Sequence, residues 1–137
     1  MGATSGEHPR KRTYVVPYPA VEDGNDLHVL GVKAEDTGRV AGVELVSSEQ
    51  MVGVDTNSRS VVVYNRGGDG TGTTVVAQKD FVSGVNAATY DACEITLATT
   101  VTQRYVTSGD ELDVFLSHVG NGITMATGAV RIVIQKD

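Results

Sequence analysis

Residues 60–81 read SVVVYNRGGDGTGTTVVAQKDF, and this stretch is the main evidence for the fold predicted from the sequence. Both of its ends are rich in β-branched residues, which favour extended backbone because branching at Cβ restricts χ1. Its middle, Arg66–Gly72, consists of turn residues, and glycine adopts the positive φ angles that a tight chain reversal needs. The stretch therefore predicts a β-hairpin with a loop longer than two residues. Valines occupy both alternating faces of the first arm, which predicts burial on both sides of that strand.

The glycine-rich middle could also be taken for a ligand-binding loop. A Walker phosphate loop ends in Gly-Lys-Ser/Thr, and no lysine is present here. A dinucleotide-binding loop opens a helix, whereas this one runs into the strand-like Thr73–Ala77. EF-hand spacing is absent, and the repeated calcium motif Gly-Gly-x-Gly-x-Asp occurs once, with Gly72 in place of its aspartate. We therefore expect a structural turn, and we expect the chain to bind no cofactor and no metal.

Short strand-like segments separated by turn residues continue on both sides of this hairpin. They lie at 27–33, 39–46, 50–55, 89–98, 103–119 and 126–136, and the fifth is predicted to be a second hairpin that turns at 108–110. No segment has a helical period longer than two turns. Eight to ten short strands at this spacing indicate an all-β fold, an antiparallel β-sandwich or barrel.

Composition and charge narrow the partners. The chain has 137 residues, enough for one domain with its own core, and a net charge of −6. Nucleic-acid-binding domains are usually basic, so we expect no nucleic-acid partner. No apolar run approaches the ~18 residues that a membrane span needs. No apolar core follows the N-terminal charges as it would in a secretory signal, so we expect synthesis in the cytoplasm.

The first twenty residues differ from the rest. Residues 1–12 are polar and carry a small positive net charge, and Pro17 and Pro19 remove backbone donors. We expect residues 1–20 to form an extended N-terminal arm, with its later part an edge strand or a wrap over a neighbour, and residues 21–137 to form the β-sandwich domain. The candidate partner-binding residues lie in this arm: Arg10, Lys11, Arg12, Tyr14 and Tyr18.

Catalytic candidates are weak, and we expect the chain not to be an enzyme. Cys93 is the only cysteine, which excludes an internal disulfide. A catalytic thiol needs a nearby histidine, and the sequence places none of His8, His28 and His118 beside it. The carboxylates of 110–113 suit a hairpin turn and a solvent face better than a glycosidase pair. Ser117 and His118 are sequence neighbours without a Gly-x-Ser-x-Gly elbow. His28 lies inside a strand pattern without a second histidine two residues away.

Residues 58–134 resemble the small β-rich head decoration (cement) proteins of tailed bacteriophages. The resemblance is carried by VVVYNRG at 61–67, GDGTGTTVVA at 68–77, FVSGV at 81–85, ITL at 95–97, SGD at 108–110 and HVGNG at 118–122. It implies a jelly-roll-like sandwich that assembles as a homotrimer and clamps subunits of the major capsid protein on the outside of a phage head. It implies no catalytic residues, and it supplies no capsid-contacting residues.

The expected function is therefore that of a structural protein on the capsid surface of a virion, stabilising the head. The alternative is a carbohydrate-binding or fibre-tip module on the same sandwich. That alternative requires exposed aromatic rings, and the chain has five Tyr, two Phe and no Trp. A hydrolase, the third possibility, would need a cleft containing Asp110 or His118.

Overall fold

The structure, a computed structural model, describes residues 10–137, in which the regular elements are nine β-strands and one short 3₁₀ helix. The strands are β1 (Lys11–Tyr18), β2 (Leu27–Lys33), β3 (Gly38–Ser47), β4 (Arg59–Gly67), β5 (Thr74–Phe81), β6 (Cys93–Glu94), β7 (Tyr105–Val106), β8 (Glu111–His118) and β9 (Gly128–Lys136). The 3₁₀ helix is Val101–Arg104, and no helix of the described residues is long and apolar enough to cross a membrane.

Two antiparallel sheets form a β-sandwich. The first sheet has the order β1-β9-β3-β6, with β7 also paired to β3, and the second has the order β2-β8-β4-β5. Apart from the two-residue β7, this is the strand order of a jelly roll, an eight-stranded double-sheet architecture. The predicted all-β sandwich is confirmed, and its topology is the jelly roll that the sequence resemblance implied.

The core lies between the two sheets and consists mainly of small and β-branched side chains. Each strand contributes alternate residues, as its pleat requires. On β8 the inward residues are Leu112, Val114 and Leu116, and on β9 they are Val130, Ile132 and Ile134, all with no exposed surface. Val62 points away from this core and is nevertheless buried, so the predicted burial on both faces of β4 is confirmed.

The hairpin predicted at 60–81 is formed by β4 and β5, paired from Arg59↔Phe81 to Asn65↔Thr74. Gly67 and Gly70 in its turn have φ angles of 76° and 79°, which only glycine adopts without strain. Asp69 accepts hydrogen bonds from the Thr71 backbone N–H and hydroxyl, and these bonds lower the pKa of its carboxyl. The glycine-rich loop is a structural turn.

The second predicted hairpin is wrong. Its turn at 108–110 exists, but β7 pairs with β3 in the first sheet while β8 pairs with β2 and β4 in the second. The turn therefore crosses between sheets. β8 alternates half-buried and buried residues from Glu111 to Leu116, and the valine-rich β4 offers it a long partner that the two-residue β7 does not.

Two other predicted strands are shorter than expected. In 50–55 only Met51 forms a bridge, to Ala87. Gly53 is packed so closely against the carbonyls of Val82 and Val85 that a Cβ would clash. In 89–98 the strand is limited to Cys93–Glu94. After it the backbone leaves β3 and bonds to β5, since Thr96 accepts the Gln78 N–H and Ala98 donates to Val76.

The expected arm is in part a strand of the domain. β1 pairs with β9 along its whole length, from Lys11↔Gln135 to Tyr18↔Gly128, and it lies at the edge of the first sheet. The edge-strand prediction is confirmed, but the boundary placed between residues 20 and 21 is too late, because the sandwich already includes Lys11. Residues 1–9 of the expected arm lie outside the described residues.

Candidate partner-binding surfaces

Arg12 of the predicted contact segment is already paired within the chain. Its Nε donates to Asp36 Oδ2 at 2.8 Å, and its Nη1 lies 3.6 Å from a Glu35 carboxylate oxygen. Lys136 Nζ lies 3.4 Å from the other Asp36 oxygen. The hydrogen bond from Arg12 lowers the pKa of Asp36, and the same bond raises the pKa of Arg12. Arg12 therefore holds β1 to the β2–β3 connection.

The two tyrosines of that segment are also used internally. The Tyr14 hydroxyl accepts the backbone N–H of Glu35 at 2.9 Å, and Tyr18 is only 3% exposed. Tyr18 belongs to the core, so its ring is not on the surface of this fold. Of the five predicted contact residues, Arg10 and Lys11 are exposed and have no side-chain partner in the part of the chain that the structure describes. They remain predicted contacts.

An apolar groove of about 490 Å³ lies at one end of the first sheet. Val15 on the edge strand is 56% exposed there, and Pro17, Val46 and Ala129 are also part of its apolar lining. Polar groups at its margin come from Ser48, Thr127 and Arg131. An exposed apolar edge is unusual, since natural sheets protect their edges from pairing with other chains. The proline in β1 provides part of that protection. The groove is a candidate contact surface that sequence patterns did not indicate.

Tyr90 stands beside this groove in a conformation that costs energy. Its φ is 56°, the one positive value at a non-glycine position among residues 10–137, and its backbone N–H donates to the Ser47 carbonyl at 2.8 Å. Bulky residues with positive φ are rare, and such strain concentrates at functional sites. The strained backbone leaves the ring 75% exposed. No sequence signal singled out this tyrosine.

Four connections meet at one end of the sandwich, which we call the loop end: residues 19–26, 48–58, 82–92 and 119–127. They meet because β1, β3, β5 and β8 all finish at this end, as the pairs Tyr18↔Gly128, Ser47↔Gly128 and Arg59↔Phe81 show. These segments contain no Lys or Arg, and their six carboxylates belong to Glu22, Asp23, Asp26, Glu49, Asp55 and Asp91. The loop end is therefore strongly acidic.

Arg59 holds the loop end together from inside. Its side chain is fully buried, and it donates to the carbonyls of Asn25 (2.6 Å), Ile123 (2.7 Å) and Glu22 (3.2 Å). Burial lowers the pKa of Arg59, and the nearby carboxylates oppose that shift. Since no carboxylate binds the guanidinium directly, backbone carbonyls take the place of water around this charge.

A row of aromatic and charged side chains covers the outer face of the second sheet. His28 stacks on Phe115 with ring centroids 3.9 Å apart, and Tyr64 lies on the other side of Phe115 because β8 runs between β2 and β4. The Arg66 guanidinium lies 4.4 Å above the Tyr64 ring and donates two hydrogen bonds to Asp113. These rings contact one another, so they offer less free face for stacking on a sugar.

The remaining chemical candidates are dispersed. Asp110 Oδ2 accepts from Asn65 and from the Thr107 backbone, which makes it part of the turn. His118 Nδ1 bonds to Asp26, and Cys93 is half-buried with its thiol 4.0 Å from the Asn86 carbonyl. Within residues 10–137 no three His, Cys, Asp or Glu side chains converge to hold a metal ion.

Comparison with known proteins adds little. No protein-family model matches the chain, and a search of curated proteins found no match. Two solved structures are similar over 92% of this chain at 13% identity: "Structure of infectious bursal disease virus Gx strain", with a TM-score of 0.47, and "Structure of infectious bursal disease virus Gt strain", with 0.45. The chain spans 32% of the length of each matched chain. At these TM-scores neither likeness carries an argument.

Proposed function

We propose that this chain is a structural viral protein that binds the outside of a phage capsid as a homotrimer and stabilises the head. Its partners are the major capsid protein and further copies of itself, and neither nucleic acid nor a membrane is among them. It is made in the host cytoplasm, acts on the virion surface and catalyses no reaction.

The observation that carries this proposal is the strand order of the two sheets, β1-β9-β3-β6 and β2-β8-β4-β5. The jelly roll is an architecture of viral capsid domains, although lectins and cupins share it. A fold alone does not assign a function. The resemblance of residues 58–134 to head decoration proteins selects the capsid among these possibilities, since it includes the turn at 66–72 and the loop at 118–122.

Two surfaces support association with other proteins. The groove beside Val15 presents apolar side chains on an edge strand, which suits contact between copies. Arg10 and Lys11 lie at the opposite end from the loop end, where they are free to meet an acidic surface of a neighbour. A sandwich that binds through fixed surfaces loses little conformational entropy on association.

The test is binding to heads assembled without this chain. Heads of the parent phage are made with the gene for this chain deleted, mixed with the purified chain and separated by sedimentation. We expect saturable binding, heads that resist heating better than undecorated heads, and a solution mass of three chains. An unbound chain would contradict the proposal, and a monomer at micromolar concentration would contradict its trimeric part.

One observation favours the alternative carbohydrate-binding function. The Tyr90 ring is 75% exposed beside a groove, and lectin domains also use the jelly roll. A glycan array distinguishes the two functions. Binding that free sugar competes away, and that Tyr90→Ala abolishes, would support the alternative. An array without such binding would leave the capsid proposal as the better one.

A further inference from the structure

The loop end combines unpaired negative charge with exposed apolar side chains. In the described part of the chain, Glu22, Asp23, Glu49 and Asp91 form neither a side-chain hydrogen bond nor a salt bridge. Three valines stand among them in the same four connections. Val52 is 52% exposed, Val54 is 41% exposed and Val119 is 58% exposed. The other two carboxylates, of Asp26 and Asp55, bond to His118 and to the Ser83 backbone.

This combination is costly in an isolated molecule. Among the described residues, the buried Arg59 is the one Lys or Arg that reaches these segments, so most of the carboxylate charge is uncompensated and the carboxylates repel one another. Exposed valine side chains are also unfavourable in water. Elsewhere on the chain charges of both signs are mixed, as in the Arg131–Glu44 and Arg66–Asp113 pairs. The net charge of the whole chain is −6, and the loop end alone has six carboxylates and no exposed Lys or Arg. The imbalance is therefore local.

The loop end is also held in one arrangement. Gly24 donates to the Asn121 carbonyl, the Asn121 N–H donates to Asn57, and Met51 and Ala87 exchange two backbone hydrogen bonds. These bonds join the four connections to one another, and the buried Arg59 ties two of them to β4. A rigid surface loses less conformational entropy when it binds, which favours association with another protein.

We propose that the loop end is the surface that docks on the shell, and that it meets a cationic, partly apolar protein surface there. This inference rests on the proposed capsid-binding function and adds the side that faces the capsid. Charge complementarity selects the occupant, because a cationic surface neutralises the carboxylates while the valines supply apolar contact. A second copy fits less well, because the chain has a net charge of −6 and two of its exposed cations, Arg12 and Arg131, are already paired with carboxylates. Its other exposed cations are Arg10, Lys11, Lys33 and Arg39.

Two pairs of variants test this docking. A loop-end variant carries Glu22→Gln, Glu49→Gln and Asp91→Asn, which removes three charges without breaking an observed side-chain bond. Its matched control removes three charges outside the loop end and carries Glu94→Gln, Glu111→Gln and Asp137→Asn. Val52→Ser is compared with Val101→Ser at the opposite end, where the native valine is 44% exposed. Circular dichroism and urea unfolding verify that each variant is folded.

Binding to heads that lack the chain is measured at two salt concentrations. At low salt we expect the loop-end variant to bind about 10-fold more weakly than the control variant, mostly through slower association. The difference should shrink at about 0.5 M NaCl, where charges are screened over a few ångströms. Val52→Ser should bind more weakly than Val101→Ser at both concentrations. In the wild type, the amide hydrogen-exchange rates of the loop-end residues should fall on binding to heads.

The outcomes separate this inference from the proposed function. A wild type that does not bind heads overturns both. A wild type that binds, with a loop-end variant that binds as well as its control, overturns the docking surface and leaves capsid binding intact. The loop-end variant could instead change the oligomeric state while it still binds heads as well as the control variant does. That result would show that the loop end forms the contact between copies of the chain, and the inference would be wrong.

Discussion

Replacing Tyr18 by phenylalanine tests how the edge strand is built into the core. Tyr18 is 3% exposed, and its hydroxyl has no hydrogen-bond partner among the described residues. Burial raises the pKa of Tyr18 to about 12, and the nearby Ser47 hydroxyl, which itself donates to the Glu49 carbonyl, lowers that pKa only in part. A buried hydroxyl without a partner costs about 1–3 kcal/mol. Tyr18→Phe should therefore stabilise the fold at neutral pH or leave it unchanged.

The pH dependence of stability gives the size of the effect of burying the Tyr18 hydroxyl. The folded-state pKa lies above the ordinary value of 10.0, so the folded state holds the phenolic proton more tightly than the unfolded state does. The contribution to stability is complete below pH 10 and is lost as pH rises from about 10 to 12. For pKa values of about 10 and 12, the wild type loses at most about 1.4 kcal/mol by about pH 11. Tyr18→Phe has no such proton to lose.

Urea unfolding at about pH 8 and about pH 11 measures this loss. The difference in the free energy of unfolding between Tyr18→Phe and the wild type should grow by about 1 kcal/mol at the higher pH. Tyr90→Phe is the matched control because it removes a hydroxyl from a ring that is 75% exposed. An equal difference at both pH values would refute the argument that the Tyr18 hydroxyl is buried and unpartnered.

The remaining predictions concern the packing of the sandwich. Arg59→Met should lower the free energy of unfolding by about 2–4 kcal/mol, because it leaves buried carbonyls at the loop end without donors. The control Arg39→Met changes an exposed arginine and should alter the free energy of unfolding by less than about 0.5 kcal/mol. Equal effects of the two substitutions in urea unfolding would contradict the structural role of Arg59. Gly31→Ala should lower the melting temperature by several degrees, since its Cβ would overlap the Leu112 carbonyl, whereas Gly42→Ala has open space and should not. Similar melting of the two alanine variants would show that β2 packs differently against β8.

Local chemistry predicted the first hairpin correctly and misled on the second. In both, turn residues lie between β-branched segments, at 66–72 and at 108–110. The arms of the first pair with each other, while the second turn joins two sheets. A turn only brings two segments near each other. Which strand completes the ladder depends on the length and apolar pattern of every other strand, and these act over long sequence separations.

The candidate site was harder to predict than the fold. Sequence reasoning placed the contacts in a basic arm, where three cations are adjacent. The structure pairs Arg12 with Asp36 and buries Tyr18, which leaves Arg10 and Lys11 exposed. A weak signal for the loop end was present, since the segments at 19–26, 48–58, 82–92 and 119–127 all lack Lys and Arg. It has no meaning until the strand order shows that these segments meet.

By itself, the sequence determined what each segment does with its own backbone. Branching at Cβ favours strands, glycine and aspartate favour turns, and the alternation of side chains along a strand decides which residues face the core. The all-β class and the buried faces of β4, β8 and β9 therefore follow from residues that are neighbours in the chain. Only the tertiary structure decided the pairing of strands, the end at which each connection lies and the strained exposure of Tyr90. Those features depend on contacts between residues far apart in sequence, and the free energy of each such contact depends on the whole packed core.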